Sequence, residues 1–151
     1  MTTIQTISTV ERVLILQEIP IFANLIPEDL ERIAIIAREQ WHPAGDVIGR
    51  KGEESDVMFV IVSGQVQIVI DSDGREQVLA ERGPGEIIGE MAIIDPAPRS
   101  AGMVSKSELR VLAIEGEAFK TILRERPEVS LAVMQIISHR LREMMESDRV
   151  I

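Results

Sequence analysis

No cysteine occurs among the 151 residues, which removes both a disulfide framework and thiolate chemistry. Tyrosine is also absent, and one tryptophan and three phenylalanines are the whole aromatic content. Histidine is scarce. His42 and His139 stand far apart with no paired spacing, so no metal-ligating cluster can be read. Basic residues are outnumbered 16 to 25, leaving a formal net charge of −9 and a pI near 4.8. A nucleic-acid face needs clustered Lys and Arg, and none is present. The acidity is spread along the chain and reads as a solubility feature. Long apolar runs are missing too. The longest, Val57 to Val62, falls far short of the ~20 residues that span a bilayer. The N-terminus lacks a basic start and a long apolar stretch, so no secretory signal is read. The expected compartment is the cytoplasm.

What remains is enough for one domain with a proper core. Residues 1–151 read as a single unit in three stretches. The first, about 9–38, is helical. Thr9 to Ile19 carries apolar residues at Val10, Val13 and Leu14, widened by Ile15 and Leu16, at helical spacing. Ser8 with Glu11 three positions on suggests a capping box, and Pro20 stops the helix. A second helix follows Pro27, with Leu30, Ile33, Ala34 and Ala37 on one stripe.

From Trp41 to Ile114 the period changes to two. Val66, Ile68 and Ile70 alternate with Gln65, Gln67 and Val69, and Leu109, Val111 and Ala113 with Glu108, Arg110 and Leu112. Asp73-Gly74 between two such strands predicts a hairpin. Short strands punctuated by Gly and Pro suggest a small antiparallel sandwich or roll. Glu117 to Glu125 then reads as a short helix halted by Pro127. Glu128 to about Ser147 reads as a long one, giving a C-terminal helical stretch of 117–148. Leu131, Met134, Ile137, Leu141, Met144 and Met145 recur along it at spacings of three and four, which suits a helix–helix dimer seam.

Residues 85–104 carry the most chemistry. Glu90 follows Gly89 at the start of a small, apolar segment, and Arg99 lies nine positions on, between Pro98 and Ser100. Glycines let backbone N–H groups approach a ligand closely. One acid and one base on a stiff loop suit a ligand with a hydroxyl at one end and a single negative charge at the other. A cyclic nucleotide has that layout.

Gly89-Glu90-Met91-Ala92-Ile93-Ile94, followed by Pro98-Arg99-Ser100-Ala101, resembles the phosphate-binding cassette of cyclic nucleotide-binding domains. Such domains occur in the bacterial catabolite activator and in the regulatory subunit of cyclic-AMP-dependent kinase. Gly83-Pro84-Gly85-Glu86 and the apolar step to Gly89 are similar as well. The likeness extends over roughly residues 20–145, through Ile21 to Leu25, His42 to Ile48 and Met58 to Val66. It implies an α+β, mainly β fold: an antiparallel double-stranded β-helix, or jelly-roll β-roll, flanked by N-terminal helices and by a short and a long C-terminal helix.

The resemblance also implies site roles. Arg99 would bind the phosphate, with Ser100 and Ala101 completing the cradle. Glu90 would accept a hydrogen bond from the ribose 2′-hydroxyl, although a carboxylate there also suits a helix start. Gly89, Met91 and Ala92 would form the turn against the sugar-phosphate. Arg140, Met144 and Met145 are the candidate base contacts, with the dimer seam as the competing reading of the methionines. Trp41 reads as core rather than as a cap on the base. Met91, Ile93 and Ile94 would pack against Phe119, Ile122 and Leu123 as a hinge, or simply as core.

The expected function is therefore a regulatory module that binds cyclic AMP, with cyclic GMP as an alternative ligand, and that signals through movement of the C-terminal helices. No catalytic residue, cofactor or metal is expected, and an enzyme on a similar roll would need the His and carboxylate cluster that is missing. A degenerate module that binds no nucleotide and serves as an interaction domain is the competing reading. No helix-turn-helix domain, kinase motif or channel span is visible, so the expected partners are an unseen effector and, through the long helix, a second copy. Neither nucleic acid nor membrane is expected to bind this chain itself.

Overall fold

A computed structural model describes residues 7–148. Helix α1 (Thr9–Gln17) starts at Ser8, whose hydroxyl accepts from the Glu11 N–H at 3.2 Å. The Glu11 carboxylate returns to the Ser8 hydroxyl at 3.3 Å, a variant of the expected box in which the side chains meet each other. The buried face of α1 differs from the stripe expected. Leu16 is fully buried and Val13 and Ile15 are packed against the core, whereas Val10 and Leu14 are exposed. A 3-10 turn (Pro20–Phe22) and α2 (Pro27–Ile36) follow. Leu30, Ile33, Ala34 and Ala37 are all buried, as their spacing requires.

Eight strands come next: β1 (Arg38–His42), β2 (Val47–Gly49), β3 (Val57–Ser63), β4 (Val66–Ser72), β5 (Arg75–Arg82), β6 (Ile87–Ile88), β7 (Gly102–Ser105) and β8 (Leu109–Glu115). The first of them opens at Arg38, ahead of the change of period at Trp41. Helix α3 (Met91–Ile94) interrupts them, and α4 (Gly116–Glu125) and α5 (Pro127–Asp148) close the described chain. The strands form two antiparallel sheets of four, ordered β1-β8-β3-β6 and β2-β7-β4-β5. The fold is α+β and mainly sheet: a β-roll with helices at both ends of the sequence.

Alternation along the strands explains the two cores. In β3, Met58 and Val60 point to the helices while Phe59 and Ile61 point into the roll. In β8, Leu112 and Ile114 join the helical side, and Leu109, Val111 and Ala113 the interior. The first sheet is thus buried on both faces, which is why Val57–Val62 reads as an unbroken apolar run. Phe22 and Phe119 meet edge to face at 6.4 Å inside the helical core, joining the N-terminal turn to α4. The second sheet ends in β5, which is largely exposed. Asp73-Gly74 makes the β4–β5 hairpin with positive φ at both residues, 53° and 76°, as a two-residue turn of this type demands.

Trp41 is not core. It is 41% exposed on the surface of β1, with the Arg110 guanidinium 4.4 Å over its ring. The reason is the pleat. Trp41 pairs with Arg110 across β1 and β8, on the face where Glu39 gathers Arg110, the Trp41 indole N–H and the Ile7 N–H. Among the described residues no helix is long and apolar enough to cross a membrane, and no group of His, Cys, Asp and Glu could hold a metal ion.

Candidate ligand-binding cassette

The cassette hangs between β6 and β7. Gly89 turns the chain with φ +81°, in the left-handed region that glycine enters without penalty. A Cβ there would sit 3.0 Å from both the Val57 carbonyl and Arg99 Nη1. Glycine at 89 is thus needed for backbone shape and for room beside Arg99.

Arg99 is one of few buried charged residues, its side chain only 5% exposed. Its backbone exchanges hydrogen bonds with the loop between β2 and β3. The Arg99 N–H donates to the Glu53 carbonyl at 2.9 Å, and the Gly52 N–H donates to the Arg99 carbonyl at 2.8 Å. Its guanidinium is held at one corner. Nη2 donates to the Ser55 hydroxyl at 2.8 Å and to the Val57 carbonyl at 3.3 Å. Nε, by contrast, is buried with no hydrogen-bond partner, and the Glu53 carboxylate stays 3.7 Å from it. Gly49 supplies the other wall, since a Cβ there would approach Arg99 Nε to 3.0 Å.

Glu90 sits at the start of α3 and is 3% exposed. It is the N-cap residue of that helix, and its side chain makes no capping bond to it. Instead it accepts from Arg140 Nη1 at 2.7 Å, while Arg140 Nη2 donates to the Ile87 carbonyl at 2.8 Å. Arg140 lies on α5, so the carboxylate is tied directly to the long C-terminal helix. Burial pushes the Arg140 guanidinium below its usual range, Glu90 works the other way, and nearby Arg82 adds to the lowering.

The other expected site residues divide. Gly89 and Ala92 are half-buried, Met91 is 57% exposed, Ser100 is exposed and Ala101 half-buried. Met144 and Met145 lie about one turn beyond Arg140 and are 57% and 47% exposed. Of the expected hinge residues, Ile93, Phe119 and Ile122 are buried together with Leu123 packed on them, while Met91 and Ile94 are exposed. Two surface clefts of about 490 and 590 Å³ flank the cassette, and neither contains Glu90 or Arg99. Ser55, Glu53 and the Val57 carbonyl were not legible as site groups. They lie more than 40 residues before Arg99, and only the Lys51-Gly52 turn marks a loop there.

Comparison with known proteins gives the family and the fold. Residues 39–126 match the family model of the cyclic nucleotide-binding domain. A CRP-like cAMP-activated global transcriptional regulator of Mycobacterium tuberculosis is 30% identical over 129 residues, covering 85% of this chain and 58% of that protein. The chain therefore spans somewhat over half the length of that relative. A cyclic nucleotide-binding domain from Methylobacillus flagellatus superposes with a TM-score of 0.77 at 26% identity, covering 94% of this chain and 82% of its own. The regulatory domain of Toxoplasma gondii PKA, crystallised with cAMP, gives a TM-score of 0.70 at 26% identity over 76% of this chain and 44% of that one.

Proposed function

The chain belongs to the cyclic nucleotide-binding domain family, and from that premise we propose that it is a regulatory module sensing cyclic AMP. The observation that carries this reading is the state of Arg99. A buried guanidinium held at one corner, with no hydrogen bond at Nε and only the Glu53 carboxylate 3.7 Å from it, has room in its bonding for an anion, because buried polar groups are normally satisfied. A guanidinium fits a phosphate well. One arginine suits a ligand of one negative charge, which a cyclic phosphodiester carries.

Glu90 supplies the second half. A buried carboxylate that makes no capping bond to its own helix would accept a hydrogen bond from the ribose 2′-hydroxyl. It also holds Arg140 of α5, so a ligand arriving at Glu90 perturbs the tether of the long helix. Signalling by movement of the C-terminal helices follows if the ligand favours one packing of α5 over another. Gly89, Met91, Ala92, Ser100 and Ala101 would complete the sugar-phosphate cradle. Met144 and Met145 would pack against the base, and Arg140 would serve the ribose end. Methionines discriminate weakly between purines, so the preference for cyclic AMP over cyclic GMP rests on the ligands named for the relatives.

The effector is assigned to a partner or to a further domain. A second copy is assigned to the exposed apolar face of α5. Calorimetric titration of nucleotide-free protein with cyclic AMP and with cyclic GMP tests the reading. Saturable binding of cyclic AMP is the expected result. Tighter binding of cyclic GMP would change the base assignment, and binding of neither by folded protein would replace the sensor with an interaction domain.

A further inference from the structure

Arginine side chains are long and lose rotamer freedom when fixed, so a site built on one needs something to hold it still. Here that duty falls on a residue outside the cassette. Ser55, in the loop before β3, meets Arg99 Nη2 at 2.8 Å, and the Val57 carbonyl takes the same nitrogen at 3.3 Å. The other walls around Arg99 are glycines. Gly49 and Gly89 offer room and no polar side chain. The nearest carboxylate, Glu53, is 43% exposed and stands 3.7 Å away. Ser55 is thus the one side chain that grips the guanidinium at hydrogen-bond distance among the described residues.

The valences of that hydroxyl carry the argument further. A serine oxygen has two lone pairs and one proton. Here it accepts from Arg99 Nη2, and more weakly from the Val57 N–H at 3.4 Å. Both acceptor positions are therefore engaged, and no hydrogen bond donated by Ser55 occurs among the described residues. Its remaining valence is its proton, which is complementary to the oxygen of an anion and not to a cation.

The structure assigns Ser55 as a positioning residue for the anion site: its hydroxyl fixes the Nη2 corner of Arg99, leaving the buried Nε–H for the ligand, and its proton completes the cradle on a phosphate oxygen. The ligand half of this assignment rests on the reading of Arg99 as a phosphate-binding group. The grip on Nη2 does not, and the experiment separates the two.

Ser55→Ala and Ser55→Thr are compared with the unchanged chain in cyclic AMP titrations and in ligand-free arginine side-chain NMR spectra. The Arg99 signals are assigned by their loss in Arg99→Lys. A guanidinium held at Nη2 rotates slowly and gives resolved Nη resonances. Ser55→Ala is expected to merge them into the averaged pool and to weaken cyclic AMP binding about tenfold, the order expected for a lost hydrogen bond to a charged group. Ser55→Thr, which keeps the hydroxyl, is expected to retain both. Thermal unfolding of the three chains is expected to show each fully folded at the titration temperature, so that weaker binding reflects positioning and not loss of the fold. Unchanged Arg99 resonances in Ser55→Ala, or unchanged affinity beside a merged signal, would overturn the assignment. If the unchanged chain binds no cyclic nucleotide yet Ser55→Ala still merges the resonances, the nucleotide reading fails while the grip on Arg99 stands.

Discussion

Arg99 and Gly89 show how closely residue identity is bound to the site. The guanidinium of Arg99 is 5% exposed, so an anion that meets it gains a contact little weakened by water. Arg99→Ala is expected to cost about 3–5 kcal/mol of cyclic AMP binding, the range for removing one partner of a buried charge pair. Calorimetry measures this directly. The fold should tolerate the change, because the backbone bonds of Arg99 to Glu53 and Gly52 need no side chain. Gly89 behaves otherwise. Its φ of +81° costs a side-chain-bearing residue roughly 1–2 kcal/mol, and an added Cβ presses on Arg99 Nη1 and the Val57 carbonyl at 3.0 Å. Gly89→Ala is therefore expected to lower both stability and affinity, with chemical denaturation and titration moving together. A loss of affinity alone would mean that the backbone conformation carries no strain.

Between elements, the α4–α5 joint is the clearest case of a contact that decides geometry. Helix α4 ends at Glu125, and the backbone of the next residue, Arg126, leaves the helical region at φ −128° and ψ 86°. Pro127 then begins α5 with no N–H to continue the earlier ladder. The Arg126 side chain reaches back to α2, where Nε and Nη2 meet the two oxygens of Asp29 at 2.5 and 3.0 Å. Arg32 joins the cluster, touching Asp29 at 3.4 Å and Glu125 at 3.1 Å. The joint is thus pinned to the N-terminal helices by a two-point ion pair. The hydrogen bond from Arg126 holds the Asp29 carboxyl below its ordinary value of 3.8, against the opposing effect of burial. A depressed folded-state value means that this stability is present above the ordinary carboxylate range. It is lost as pH falls below 3.8 through the folded value. Asp29→Asn is expected to destabilise the protein at neutral pH, with the difference from the unchanged chain shrinking on acidification. Urea titrations at a series of pH values check this. A difference constant with pH would show that the ion pair contributes no linkage.

At the scale of the molecule, two apolar clusters share one sheet, and the helices pack against its outer face. Helix α5 buries Val129 and Val133 there and turns Leu131, Met134 and Leu141 outward, each at least 54% exposed. A row of large apolar side chains at these spacings suits a second helix. Leu141→Asp is therefore expected to convert a dimer into a monomer in sedimentation experiments, without removing the Arg99 site. A monomer before the substitution would leave that face without a second copy. Cyclic AMP is expected to change hydrogen-exchange protection across residues 116–146, because Arg140 couples Glu90 to α5. Identical protection with and without ligand would count against a switch.

Local pattern determined a good deal of this protein. Stripes of three and four placed α2 and α5, Pro127 marked where α4 stops, alternation and Gly-Pro punctuation placed the roll, and Asp73-Gly74 placed its hairpin, because each depends on neighbours within a few residues. Glu90 and Arg99 were legible for the same reason: they lie nine positions apart in one loop. Other features could be decided only by the tertiary structure. Val10 and Leu14 share the helical period with Val13, yet packing left them outside and chose Leu16. Trp41 was displaced to the surface because its strand position faces Arg110 and Glu39 rather than the core. The grip of Ser55 on Arg99 spans 44 residues, that of Arg140 on Glu90 spans 50, and that of Arg126 on Asp29 spans 97. Such contacts leave no period or spacing in the chain. They exist because closing the roll and docking α5 on it bring distant side chains together, and only that closure selects which charges meet.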